Sequence, residues 1–295
     1  MAGDDGGTKI RPPPPELSWS VAGPAAPVLA IWGSGPNDVY GVGELGTIVH
    51  FDGTAWQYQD AGTGAVLTGI WGSGPNDIYV SVRSNVILHS IGDGKWEHQV
   101  YASGYTFEYL WGTAPNDIYV MTSSNTVVRS TGDGRWSYPP QSLSGHGVGP
   151  MWGTSPADIY AIGGGGVLHT TGNDSWTVQQ ASANALIDIW GADPTDVYAI
   201  GAHNIVYSRG DGLWTEQVSP SAVGDAGVGA YDQVWAYDAN AIYVTTTKGA
   251  ILRSGGDGRW FGSQVSMTGI RGIWGTGPYN IYAGTGGGIL HGIVP

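Results

Sequence analysis

The sequence predicts an all-β chain, a seven-bladed β-propeller of four-stranded blades closed by its own N-terminal strand, and three observations carry that prediction. First, nearly the same nine-residue phrase opens seven times, at Trp32, Trp71, Trp111, Trp152, Trp190, Trp235 and Trp274. Successive copies lie 38 to 45 residues apart, the length of one four-stranded blade and too short for separate domains. Second, another tryptophan closes each of six units, at Trp56, Trp96, Trp136, Trp176, Trp214 and Trp260. Third, 51 glycines and 17 prolines in 295 residues, with short apolar runs between them and no sustained helical period, describe many brief strands and tight turns.

The elements follow in chain order. Residues 1–16 are polar and then proline-rich, which predicts an extended or disordered tether before a single domain over 17–295. The unit opened by Trp274 stops at Ile289–Pro295 without a closing tryptophan, and Leu17–Val21, which carries Trp19, supplies the strand it lacks. All fourteen tryptophans are then used, seven opening and seven closing, and no strand edge is left unpaired inside a blade. Within the second unit, Ala65–Trp71 is the inner strand and Gly72–Asp77 a turn. Ile78–Val82 is the second strand, Val86–Ser90 the third, Gly92–Gly94 a turn, and Lys95–Val100 the outer strand. Alternating apolar and polar residues support each strand. Pro75 sits in the first turn, where its missing amide leaves no ladder bond unmade.

The recurring residues read as structural. Each buried tryptophan removes roughly 150–250 Å² from water. The tyrosine eight residues after the opener recurs in all seven units, from Tyr40 to Tyr282, and is packing first. The aspartate two residues before it recurs in five units, becomes Ala241 and Asn280 in the other two, and is expected to accept backbone amides in its turn. Third-strand positions His50, His89, His169 and His291 share their register with Arg129, Tyr207 and Arg253, so they read as side chains reaching a turn carboxylate or carbonyl. A metal would need the same ligand throughout. There is no zinc-type histidine pair, no cysteine and no calcium loop, so no metal and no cofactor is expected.

The segments Ser90–Trp96, Ser130–Trp136 and Ser254–Trp260, each Ser-x-Gly-Asp-Gly-x-Trp, resemble Asp-boxes, the motif that punctuates blades of sialidases, some other glycoside hydrolases and photosystem-assembly-factor propellers. Here the span from serine to tryptophan is one residue shorter than in the usual box and the aspartate falls one place later. The whole repeat, over residues 17–295, is similar to repeats in large surface and secreted proteins of myxobacteria and related bacteria. That resemblance implies the fold and a location outside the cell. It implies no particular activity.

Charge and motifs exclude several classes. A net charge of −13 argues against nucleic acid and anionic membrane, both of which call for concentrated basic surface. No apolar run exceeds strand length, so no membrane insertion is expected. The tether resembles the segment behind a secreted or lipid-anchored N-terminus, which places the protein outside a bacterial cell with its export signal removed ahead of Met1. Sialidase chemistry calls for three convergent arginines with a tyrosine, a glutamate and an aspartate. Eleven basic residues, several of them in repeated turns, give that little support. Gly163–Gly166 links two strands and precedes no helix, so it cradles no phosphate. The expectation is a non-enzyme.

Opener-to-closer spacing is 24 or 25 residues throughout, whereas closer-to-opener spacing runs from 13 to 21. The connections made by the second interval, together with those between second and third strands, define the variable face, where binding is expected. Its richest segment holds Tyr101, Tyr105, Phe107, Glu108 and Tyr109. Flat rings beside carboxylates suit a sugar, whose apolar faces stack while its hydroxyls are held in plane. The competing reading of Phe107 and Tyr109 is core packing at the start of an inner strand. Neighbouring loops add Arg83, Asn85, Asn125, His203, Asn204 and Lys248, and the longest insertion, 219–232, ends in Tyr231 and Asp232. The predicted function is a non-catalytic, lectin-like binding ring, monomeric, taking a glycan either in one site on this face or in repeated pockets between blades. The alternative is a scaffold for a surface-protein partner, and a glycosidase ranks below both.

Overall fold

A computed structural model describes residues 12–101, 104–137, 148–172, 175–179, 185–218 and 229–295. It is an all-β ring of seven antiparallel sheets. Among the described residues six sheets are four-stranded, and the third blade has three strands plus an isolated Arg129–Ser137 bridge. Among the described residues the sole helical element is one 3-10 turn, Glu44–Gly46. The first, second and fourth strands of blade two shift from their expected bounds, the second beginning at Asp77. The inner strand of blade two runs Leu67–Gly74, because a bulge at Gly72/Gly74 lets it pair on to Asp77, so the turn shrinks to Pro75 and Asn76. The outer strand starts at Glu97, after Trp96.

Closure takes place as expected. Ser18–Val21 pairs antiparallel with Gly288–Ile293, with Trp19 opposite Gly292 and Val21 opposite Leu290. Leu17 is buried with Ile273 and Trp235. Of the tether, Pro14 and Glu16 lie on blade six. There Arg253 Nε donates to the Pro14 carbonyl at 3.3 Å and Ser263 Oγ donates to Glu16 at 2.9 Å. Residues 1–11 lie outside the described residues.

One row of side chains builds every blade. Trp32, Tyr40 and His50 stand opposite one another across three strands, as do Trp71, Tyr79 and His89. Histidine stacks on tyrosine at 4.0 Å in blade one and 4.4 Å in blade two. The tyrosines lie deeper than the tryptophans: Tyr40, Tyr79, Tyr160, Tyr198 and Tyr243 are 1% exposed, while Trp32, Trp71, Trp190 and Trp274 are only half-buried. Those four line an axial cavity of 160 Å³ bounded by the inner strands of all seven blades.

Blades are joined by the two kinds of tryptophan. Five of the openers, Trp32, Trp71, Trp152, Trp235 and Trp274, lie against the glycine that follows the next opener. A Cβ at Gly72 would sit 2.6 Å from the Trp32 ring, and one at Gly33 would sit 2.7 Å from the Trp274 ring. In blade six that glycine is Ala236, and Trp190 there donates its Nε1–H to the Ala236 carbonyl at 3.1 Å. Each closer reaches back to the preceding blade. Trp96 meets Tyr40 edge-on at 6.2 Å, and Trp136 meets Tyr79 at 6.4 Å. Trp56 meets Tyr282 at 6.2 Å, which joins blade one to blade seven and completes the ring.

Candidate functional site: the axial mouth on the variable face

The repeated aspartate does a different job from the one expected of it. Asp38 accepts from the Ser34 hydroxyl at 2.5 Å and meets His50 Nε2 at 2.6 Å, so its partners are side chains and not turn amides. Asp77 with His89, Asp158 with His169 and Asp117 with Arg129 repeat the arrangement. The third-strand cation or imidazole thus reaches a turn carboxylate, as its register suggested. Where the carboxylate is missing, the partner changes with it. His291 Nε2 meets Asn280 Oδ1 at 2.5 Å, and Arg253, facing Ala241, turns to Pro14 and Ser263.

Blade five is the exception. Asp196 faces Tyr207 instead of a cation, it is 6% exposed, and its Oδ2 is left without a hydrogen bond. Burial first, then the neighbouring Asp193, pushes its carboxyl up to about 6.

The turns named as Asp-box-like are internally hydrogen-bonded. Ser90 Oγ accepts from the Gly92 amide at 3.2 Å and Asp93 Oδ1 from the Lys95 amide at 3.0 Å, and the same pair recurs at Ser130/Asp133, Ser208/Asp211 and Ser254/Asp257. This face is therefore built of groups engaged with one another.

The opposite face holds a cavity of 190 Å³ on the axis, continuous in its lining with the channel. It is formed where inner strands begin, two or three residues before six of the seven openers. Thr68, Glu108, Tyr109, Asp188, Asp232, Gln233 and Arg271 come from that register, and Arg83 follows a second strand. Tyr109 is 48% exposed there, and burial together with Asp188, Asp232 and Glu108 pushes its phenol up. Asp188 Oδ2 accepts the Val234 amide at 2.8 Å, tying blade five to blade six. Burial dominates over that bond and drives the Asp188 carboxyl up to about 7. Asp232 is also raised by burial, against the opposing pull of Arg271.

The expected site residues divide three ways. Arg83, Glu108, Tyr109 and Asp232 meet at the mouth. Tyr105, Asn125, His203 and Lys248 are exposed on the surrounding loops. Phe107, Tyr231 and Asn204 are buried within blades, and Tyr101 stacks on Phe107 while Asn85 Nδ2 donates to the Tyr101 carbonyl at 2.9 Å. Most of the long insertion, 219–228, lies outside the described residues. Asp188, Gln233, Thr68 and Arg271 were not anticipated, although their fixed offset from an opener was available in the sequence. No group of three or more metal-ligating side chains occurs among the described residues. No helix among them is long and apolar enough to cross a membrane.

Two raised carboxyls make stability depend on pH in a fixed direction. A carboxyl whose folded value lies above its unfolded value near 3.8 favours the folded state fully below that value and progressively loses its contribution as pH rises through the folded value. For Asp196 and Asp188 the window runs from about pH 4 to about 6 and 7 respectively. Thermal midpoints measured across that window should fall with rising pH. Asp188→Asn should flatten the upper part of the curve, since an amide oxygen can still accept from Val234. A profile identical to that of the unchanged protein would rule out Asp188 as the source.

Neither a protein-family profile nor a curated protein matches this chain. Solved structures do match in fold. YCF48 bound to D1 peptide aligns at 15% identity with a TM-score of 0.75, covering 95% of each chain. A streptogramin B lyase aligns at 13% identity and 0.80, covering 95% of this chain and 98% of that one. A catalytically inactive virginiamycin B lyase from Staphylococcus aureus with quinupristin aligns at 14% identity and 0.78, covering 95% and 100%. At such identities the likeness is one of architecture, a seven-bladed propeller shared by proteins that bind peptides and proteins that carry out lyase chemistry.

Proposed function

We propose that this chain is a non-catalytic binding ring whose ligand, the end of a carbohydrate, sits at the axial mouth of the variable face outside a bacterial cell. The observation that carries the reading is the 190 Å³ cavity with the exposed Tyr109 ring beside Glu108, Asp232, Arg83 and Arg271. A sugar offers hydroxyls that both donate and accept and a C–H face that packs on an aromatic ring, so a mouth with both signs of charge and one free ring suits it. The cavity is of monosaccharide size. The non-catalytic part is read from the recurring carboxylates, which are spent on the blade framework: Asp38, Asp77, Asp117 and Asp158 are paired with His50, His89, Arg129 and His169. The Asp-box-like turns and the likeness to bacterial surface repeats agree with this reading, as does the proline-rich run Pro12–Pro15 leading into the ring.

A protein partner is the second reading. It is favoured by the peptide carried by one YCF48 neighbour and by the charged lining of the mouth. A glycan array followed by calorimetric titration separates the two. The expected result is a saccharide hit binding one per ring, weakened about tenfold by Tyr109→Ala, in keeping with roughly 1.4 kcal/mol for a lost stacking contact. No saccharide hit, together with a captured protein lost on the same substitution, would transfer the function to the scaffold reading. Hydrolysis of an arrayed glycan would overturn the non-catalytic assignment.

A further inference from the structure

We propose that the seam between blade seven and blade one is a second binding site, selective for a neutral amide group, either a glutamine side chain or the acetamido group of an N-acetylated sugar. The ring itself supplies the argument. At four seams the closing tryptophan donates its indole Nε1–H to a glutamine carbonyl of the preceding blade, at 2.9 Å each time: Trp96 to Gln59, Trp136 to Gln99, Trp214 to Gln179 and Trp260 to Gln217. That glutamine always stands three residues after the preceding closer. In the other three blades the position is Pro139, Ser263 and Ala22. Pro139 lies outside the described residues. Ser263 is covered by the N-terminal segment through Glu16.

Ala22 is different. Its methyl group ends well short of where an amide would reach, and the seam opens into a groove of 650 Å³ lined by Ala22, Asn37, Phe51, Thr54, Trp56 and Tyr282 among others. Trp56 Nε1 meets no acceptor among the described residues. The walls are aromatic, with Phe51 at 5.4 Å and Tyr282 at 6.2 Å from the Trp56 ring. The groove is lined by the His291 imidazole, which is engaged with Asn280, while Asn280 also donates to Thr276; the nearest carboxylate, Asp52, is held by Thr54 and Ala55 on the rim. A donor between aromatic walls, beside a rim that already holds the Asp52 carboxylate, favours an uncharged carbonyl acceptor with a small apolar flank over a second anion. The four filled seams show what that acceptor looks like when the chain provides it. The site is distinct from the axial mouth, on the other face of the ring, and does not depend on it.

The test is the indole N–H resonance of Trp56 in ¹⁵N-labelled protein, assigned by its loss in Trp56→Phe. Titration with N-acetylglucosamine against glucose forms one arm, and a glutamine-containing peptide against its glutamate counterpart forms the other. A downfield shift with either amide probe and with neither control is expected, and the responding arm identifies the source. Ala22→Gln should restore the missing side chain, bring the Trp56 resonance toward those of Trp96 and Trp136, and abolish the response. Tyr109→Ala should leave it intact, which separates failure at the seam from failure at the mouth. A Trp56 resonance unmoved by both amide probes, or an Ala22→Gln variant that responds as the parent does, would overturn the proposal.

Discussion

Removal of residues 1–21 is expected to open the ring at blade seven and cost most of its stability. The deletion strips the outer strand from blade seven, withdraws buried Leu17 from its packing with Ile273 and Trp235, and bares the edge of Gly288–Ile293. It also lifts Trp19 off Gly292, where an added Cβ would stand 2.8 Å from the indole. Loss of a buried aliphatic side chain and an indole amounts to about 5 kcal/mol or more, comparable to the whole stability of a typical domain. The bared strand would also template pairing with other chains. We expect a truncated protein that aggregates or melts more than about 10 °C lower. A circular permutant provides the control. From His89 to Trp96 six residues intervene, and joining Pro295 directly to Leu17 would likewise place six residues between His291 and Trp19. A permutant starting at Gly23, with residues 17–22 fused after Pro295, should therefore melt close to the parent. Truncated protein with the parental melting curve would show that the Trp19 strand contributes nothing to closure.

The blades were legible in the sequence because each is built from residues in one register. Trp32, Tyr40 and His50 lie opposite one another, so the spacing of opener, tyrosine and third-strand position reports directly on strand pairing. Even the covarying partners of the repeated aspartate could be read, although its role could not. Whether Asp38 turns to amides or to His50 depends on how far the third strand carries the imidazole, which spacing alone does not give. The mouth was legible only in part for a different reason. It is assembled from strand starts that share a position and no residue type: Thr68, Glu108, Asp188, Asp232 and Arg271 come from five blades. Repetition, the signal that exposes the framework, is absent where each blade contributes something different.

The aromatic segment shows a further limit. Phe107 and Tyr109 have the same parity along a strand and would be expected on the same side. A bulge between them rotates the chain, so Phe107 is fully buried while Tyr109 is 48% exposed at the mouth. The seam glutamines make the opposite case. Gln59, Gln99, Gln179 and Gln217 are visible as a pattern in the sequence, but their meaning requires knowing that the next blade's tryptophan arrives at the same point.

Trp136→Ala and Trp56→Ala make the same chemical change at two seams and should not have the same effect. Trp136 is 7% exposed, sits edge-on to Tyr79 and donates to Gln99 at 2.9 Å. Its removal leaves a cavity between blades two and three and an amide oxygen with no donor, which together cost about 4–5 kcal/mol. For a chain of this size that is a fall on the order of 10–15 °C in melting temperature. Trp56 is half-buried, opens onto the groove and makes no such bond, so the ring loses its contacts with Phe51 and Tyr282 and little else. We expect roughly half the loss there. Ala22→Gln should then narrow the gap, because with the acceptor restored the Trp56 indole acquires what Trp136 already has, and Trp56→Ala made in that background should cost more than in the parent. Equal losses at the two positions in the parent, with no change in the Ala22→Gln background, would mean that the glutamine clasp contributes nothing and that the seven seams are held by aromatic packing alone.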